Sequence, residues 1–135
     1  PERHRGRIVT HHAADGRDDA LTQHLSSPEP TILLTPSMTE GIDLVGDLAR
    51  WQVLCKVPYP FLGDPQVAAR MQRDPDWYDW RTCLAMVQAY GRSVRSADDH
   101  AVTYLLDADF TVFLRRQRHR LPEWFLEAVE VADRD

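Results

Sequence analysis

At 135 residues the chain has room for one domain, and 43% hydrophobic with 27% charged residues is a globular composition. Its 21 acids against 16 bases give a formal net charge of −5, which excludes a histone-like polycation while leaving room for a local basic surface. No apolar run approaches the roughly 18–20 residues of a membrane span, and no signal peptide opens the chain.

In chain order the pattern alternates strand and helix. Ile8-Val9-Thr10, flanked by Arg7 and His11, predicts a short β-branched strand, and Asp15-Gly16 a turn. A short helix follows from Arg17 to Leu25, with Leu21 and Leu25 one turn apart. Ser26-Ser27-Pro28-Glu29-Pro30 breaks it, and Thr31-Ile32-Leu33-Leu34-Thr35 is an apolar run too short for a helix, expected as a strand buried on both faces. Trp51-Gln52-Val53-Leu54-Cys55-Lys56-Val57 predicts the third strand, after which Pro58-Tyr59-Pro60 and Gly63-Asp64-Pro65 forbid regular structure. Helices are expected over 66–73 and 76–90, a fourth strand over 101–106, and a helical end in which Pro122 lies near a helix start. Strands separated by helices predict an α/β fold with a parallel sheet and helices on both faces. In such sheets ligands bind beyond the carboxyl ends of the strands, so the residues after each strand are the ones to inspect.

Gln88-Ala89-Tyr90-Gly91-Arg92-Ser93-Val94-Arg95 is the strongest local signal. On a projection of about 100° per residue, Trp77, Trp80, Leu84 and Val87 form an apolar stripe expected to face the core, and Gln88, Arg92 and Arg95 fall within roughly 60° of Trp77, bordering it. Guanidiniums held beside an apolar face need an anionic partner. A phosphate or carboxylate ligand would serve, and so would the chain's own Asp98 or Asp99. Ser37-Met38-Thr39-Glu40-Gly41-Ile42-Asp43, after the second strand, offers hydroxyls, a glycine and two acids; many strand-to-helix turns look similar, so by itself it reads first as a capped turn and second as a nucleotide approach.

Other features carry less. His11 and His12 lack further ligands at metal-binding spacing, so no metal site is expected. Arg115-Arg116-Gln117-Arg118-His119-Arg120 either touches phosphates or is a solvated stretch offset by Glu123, Glu127 and Glu130. Cys55 and Cys83 are expected as two reduced, buried thiols. Fifteen of the sixteen bases are Arg, and the chain opens at Pro1 without an initiator Met, which reads as a fragment or a processed chain. There is no Gly-x-Ser-x-Gly elbow and no phosphate-cradling P-loop, so the chain cannot hold a nucleoside triphosphate in the P-loop manner alone.

The order of the segments resembles one family. Thr39-Glu40-Gly41-Ile42-Asp43-Leu44 is similar to motif V of superfamily II helicases, and Gln88-x-x-Gly91-Arg92-x-x-Arg95 to motif VI. Between them, Lys56-Val57-Pro58-Tyr59-Pro60-Phe61-Leu62-Gly63-Asp64-Pro65 resembles the Pro-Phe…Asp-Pro loop of the DinG/XPD-like branch. The likeness covers most of residues 7–115. His100 departs from it, standing where the branch usually has Gly.

That resemblance implies a RecA-like three-layer α/β/α fold with a mainly parallel sheet, possibly missing an edge strand. Residues 1–135 would be the second RecA-like domain of a longer DNA helicase, with motif V at about 37–47 and motif VI at about 88–95. ATP with Mg²⁺ would sit between this domain and an N-terminal RecA-like domain of the same parent, so the isolated chain is expected to be inactive. Arg92 and Arg95 would be arginine fingers supported by Gln88; Gly41 and Asp43 would approach the nucleotide; Ser37 and Thr39 would contact single-stranded DNA. An iron–sulfur cluster would not belong to this segment, and the implied setting is a bacterial cytosol with no membrane partner. Two alternatives stand beside it: a non-catalytic helicase-like scaffold that binds nucleic acid, and a small phosphate-ligand enzyme complete in itself.

Overall fold

The computed structural model describes residues 2–11, 16–36, 44, 46–91 and 100–131. The chain forms two compact units, Pro1–Gly41 and Ile42–Asp135. In the first, a 3-10 turn over Glu2–Arg7 leads into β1 (Ile8–Thr10), then α1 (Arg17–Ser26) and β2 (Ile32–Leu34). The strands pair in parallel, Ile8 opposite Ile32 and Thr10 opposite Leu34, as the strand–helix–strand order demands. Among the described residues, Val9 and Ala20 are its buried apolar side chains, with α1 packed on both strands. Polar contacts complete it. The Arg7 Nε donates to the Pro30 carbonyl at 2.7 Å, His24 Nδ1 meets Thr31 Oγ1 at 2.6 Å, and the buried His11 places Nε2 2.8 Å from Thr35 Oγ1.

The expectation that β2 is buried on both faces is corrected here. Ile32 and Leu33 are half-buried and Leu34 is 56% exposed. A single short helix covers too little of a three-residue strand pair to bury both faces.

The second unit begins with a 3-10 turn (Gly46–Ala49) and β3 (Trp51–Leu54), followed by α2 (Pro65–Arg73), α3 (Pro75–Tyr90) and β4 (Val102–Leu105). It closes with α4 (Asp109–Gln117), a 3-10 turn (Arg118–Arg120) and α5 (Glu123–Glu127). β3 and β4 are parallel, with Trp51 opposite Val102 and Leu54 opposite Leu105. Period-two alternation sorts the pair: Trp51, Val53, Val102 and Tyr104 face outward, while Gln52, Leu54, Thr103 and Leu105 are half-buried. Both sheets are thus parallel within an α/β order, the class the sequence predicts.

Two Asp-Pro pairs start the two consecutive helices. Asp64 accepts from the Gln66 and Val67 amides, Asp74 from the Trp77 amide, and each is followed by a proline at the first helical position, where no N–H is needed. The core gathers Val57, Cys83, Met86, Phe113, Leu121 and Phe125 between α3, α4 and α5. Met86 is 1% exposed, and complete burial of a side chain of this size is worth about 1.5–3 kcal/mol.

The buried face of α3 also differs from expectation. It consists of Thr82, Cys83, Met86 and Ala89, roughly 150° round the helix from the Trp77–Val87 stripe. Small residues let α3 pack closely, and the Thr82 hydroxyl is satisfied by donating to the Tyr78 carbonyl at 2.9 Å. The tryptophans work at the surface. Trp77 lies under the Arg70 guanidinium, 4.2 Å from the ring centroid, and Trp80 is half exposed. Cys83 is buried as expected, with burial pushing its thiol pKa up, whereas Cys55 is exposed because β3 ends one residue before it.

Candidate functional site

Of the residues singled out by the sequence, Gln88 is described. Ser37, Thr39, Gly41, Asp43, Arg92 and Arg95 lie outside the described residues. The elements that lead to them are clear: β2 ends at Leu34, three residues before Ser37, and α3 runs to Tyr90, with Gly91 between it and Arg92.

Gln88 sits in the last turn of α3, roughly 150° from the centre of the helix's buried face. Its Oε1 is nevertheless buried and has no hydrogen-bond partner among the described residues. A buried carbonyl oxygen in that state is an acceptor waiting for an N–H or O–H donor.

The last turn of α3 is held by a residue that the sequence reading passed over. Gln52, on the inward face of β3, donates its Nε2 to the Ala89 carbonyl at 2.9 Å and to the Thr103 hydroxyl of β4 at 2.8 Å, with the Tyr90 carbonyl at 3.5 Å. Terminal helix carbonyls lack intrahelical donors, and Gln52 supplies one from the sheet. The Gly91 amide closes the turn on the Val87 carbonyl at 3.0 Å. The signal was a single amide in an otherwise apolar strand, at an inward position by alternation with Leu54.

Beyond the carboxyl end of β3, the loop from Cys55 to Asp64 is firmly anchored. Asp107, just past β4, accepts the Val57 amide on one carboxylate oxygen at 2.9 Å and the Asp109 amide on the other at 3.1 Å. These two bonds, Val57 first, hold its pKa below the ordinary 3.8. Tyr59 stacks on Tyr78 with centroids 6.1 Å apart and meets Phe113 edge-on at 6.2 Å, while the Tyr78 hydroxyl donates to the Pro60 carbonyl. Partial burial raises the pKa of both phenols, with Asp109 and Asp107 adding to the effect at Tyr59. Phe61 remains exposed, its ring folded back on Gly63 so closely that a methyl group there would overlap it.

The basic run is solvated, as one of its two expected readings has it, and Glu123 and Glu127 lie beside it. Arg115, Arg116, Arg118 and His119 are exposed, and none makes an ion pair among the described residues. Arg120 instead reaches back to Asp76 on α3 at 2.8 Å. No group of three or more His, Cys, Asp or Glu among the described residues could hold a metal ion. His12 lies outside the described residues. No described helix is long and apolar enough to cross a membrane.

The chain matches the family model described as "Helicase C-terminal domain" over residues 2–128. It is 30% identical over 95 residues to ATP-dependent DNA helicase YoaA of Escherichia coli (strain K12), covering 64% of this chain and 15% of that protein. It is 26% identical over 133 residues to the regulator of telomere elongation helicase 1 homolog of Caenorhabditis elegans, covering 84% of this chain and 13% of the relative. With regulator of telomere elongation helicase 1 of Homo sapiens the figure is 28% over 111 residues, covering 70% and 9%. The chain therefore spans about one seventh or less of the length of the curated relatives it matches.

Proposed function

The chain belongs to the helicase C-terminal domain family, and from that premise we propose that residues 1–135 act as the second RecA-like motor domain of an ATP-dependent DNA helicase or translocase. The observation that carries this reading is the family match across residues 2–128. In it, ATP with Mg²⁺ binds between this domain and an N-terminal RecA-like domain of the same parent, which brings the P-loop and the metal-binding acids. Arg92 and Arg95 reach across the cleft to the γ-phosphate and stabilise the charge that spreads over its oxygens during transfer.

Gln88 positions those fingers. Its buried, donor-less Oε1 is suited to accept a guanidinium N–H, and Arg92 follows it by one helical turn in sequence. Gln52 fixes the helix end from which Gln88 projects. Gly41 and Asp43 approach the nucleotide, Asp43 toward the ribose hydroxyls, and Ser37 and Thr39 hydrogen-bond phosphates of a single strand of DNA. Motif V then spans about 37–47 and motif VI about 88–95. Half of the catalytic set lies on the partner domain, so this chain alone is expected not to hydrolyse ATP.

The test is ATP hydrolysis by a protein carrying both motor domains, with and without single-stranded DNA. DNA is expected to stimulate turnover. Arg92→Ala and Arg95→Ala should each reduce it by about 10³-fold or more while DNA binding is largely kept. Unchanged hydrolysis in both variants removes the finger assignment. No hydrolysis by the folded two-domain protein under either condition replaces the motor with a non-catalytic nucleic-acid-binding module.

A further inference from the structure

The end of α4 and the turn after it carry cations that no part of the motor reading uses. Arg115 and Arg116 lie in the last turn of α4, and Arg118 and His119 in the 3-10 turn that follows. All four are exposed. The negative end of the α4 dipole explains why cations are tolerated there. It does not engage their N–H groups, and none of the four forms an ion pair with an acid among the described residues, although Glu123 and Glu127 line the same surface.

The surface they share is a shallow, open depression. Arg115, Arg118 and His119 line a hollow with Leu121, Glu123 and Glu127. The floor is fixed: Leu121 is buried, and neighbouring Arg120 is drawn to Asp76 rather than into the hollow. Guanidiniums with free forks on a rigid rim suit phosphate oxygens, and in a chain of net charge −5 such a cluster is a local exception.

We infer that this hollow is a second phosphate-binding surface, outside motifs V and VI, which takes the backbone of a single-stranded nucleic acid. The inference rests on the motor-domain reading for the identity of the polyanion. Arg115 and Arg118 each neutralise a phosphate, Arg116 and His119 add to the field, and Glu123 and Glu127 weaken the site.

Equilibrium binding of the 135-residue chain to a fluorescein-labelled oligothymidylate of about 20 nucleotides, followed by anisotropy between about 25 and 200 mM NaCl, tests it. Each phosphate neutralised contributes about 0.7 to the slope of log K against log salt, so R115Q/R118Q should lower the slope by about 1.4. R70Q/R73Q on α2 removes the same formal charge and should leave the slope unchanged. E123Q/E127Q should tighten binding.

An unchanged slope in R115Q/R118Q overturns the inference, and so does the absence of any binding by the wild-type chain at the lowest salt. Displacement of the oligonucleotide by polyglutamate as effectively as by unlabelled oligothymidylate at equal charge reassigns the hollow to acidic protein segments. None of these outcomes touches the motor reading, which stands or falls on DNA-stimulated hydrolysis. The exposed arginines bond to nothing described, so R115Q/R118Q should still melt cooperatively, with a midpoint lowered by no more than the lost cation–dipole attraction, which excludes misfolding as the cause.

Discussion

In the N-terminal unit, β1, α1 and β2 are tied by Arg7 on the Pro30 carbonyl and by two histidine–threonine pairs. In the C-terminal unit the corresponding task falls to Met86, Phe113 and Phe125, closed over by α3, α4 and α5. Both are parallel strand pairs joined through helices, yet one is pinned by polar contacts and the other is built around apolar volume. A hydrogen bond contributes about 0.5–1.5 kcal/mol net, and a buried large side chain about 1.5–3 kcal/mol. The same topology therefore yields two regions of different local stability, and amide exchange should be faster in β1 and β2 than in β3 and β4.

Substitutions can break or sharpen that contrast. The largest effect is expected from Phe125→Ala, which should cost about 3–5 kcal/mol in chemical denaturation, because it empties volume at the centre of the apolar cluster. A loss below about 1 kcal/mol would mean that the C-terminal unit does not depend on its core.

Next comes Thr31→Val, which removes the hydroxyl facing His24 Nδ1 and should cost about 0.5–1.5 kcal/mol. Hydrogen exchange should quicken in β1 and β2 and stay unchanged in β3 and β4. Equal quickening in both would show that the units unfold as one.

Asp107→Asn is expected to act through pH. The folded carboxyl has a pKa below 3.8, so its contribution is fully present above 3.8 and lost as the pH falls through the lower folded value. The wild type should lose thermal stability across that acid window, and the variant should start lower and change less. Parallel pH profiles would show that the carboxylate does not organise the loop.

The smallest effect is assigned to Gly63→Ala. The overlapping atoms belong to the outer edge of an exposed ring that can turn away, so stability should change by less than about 0.5 kcal/mol. A larger loss would make Phe61 part of the packed structure.

Much of the local architecture was legible because it rests on local chemistry. The helices expected over 66–73 and 76–90 match α2 and α3 within a residue, although the Asp-Pro pairs that cap them read in the sequence only as a break or not at all. The strands match within a residue except β3, which stops at Leu54, three residues short of Val57. The face of α3 is not legible in this way, because large aromatics at helical spacing read as the core side. Close packing against neighbouring elements selected Thr82, Cys83 and Ala89 instead. Gln52 was hidden for a related reason: one amide in an apolar run has no meaning until the carbonyls it meets, 37 residues downstream at Ala89, are brought to it. Helical projection singles out Gln88, Arg92 and Arg95, and the order of motifs gives them and residues 37–43 their expected roles. Gln88 is the one whose surroundings are described, and its unpartnered oxygen is a property that sequence cannot carry.

Asp107 gives the loop after β3 a mechanical character. Its two carboxylate oxygens rivet Val57, at the root of that loop, to Asp109, the first residue of α4. Its own carbonyl accepts the Phe110 amide at 3.1 Å, so the rivet is set into the helix it joins. A pull on Pro58 or Tyr59 thus has a short route to α4, through one carboxylate and the Tyr59–Phe113 ring contact, without first stretching β3. The loop and the helix should be displaced in step, as two arms of one lever whose fulcrum is a single side chain.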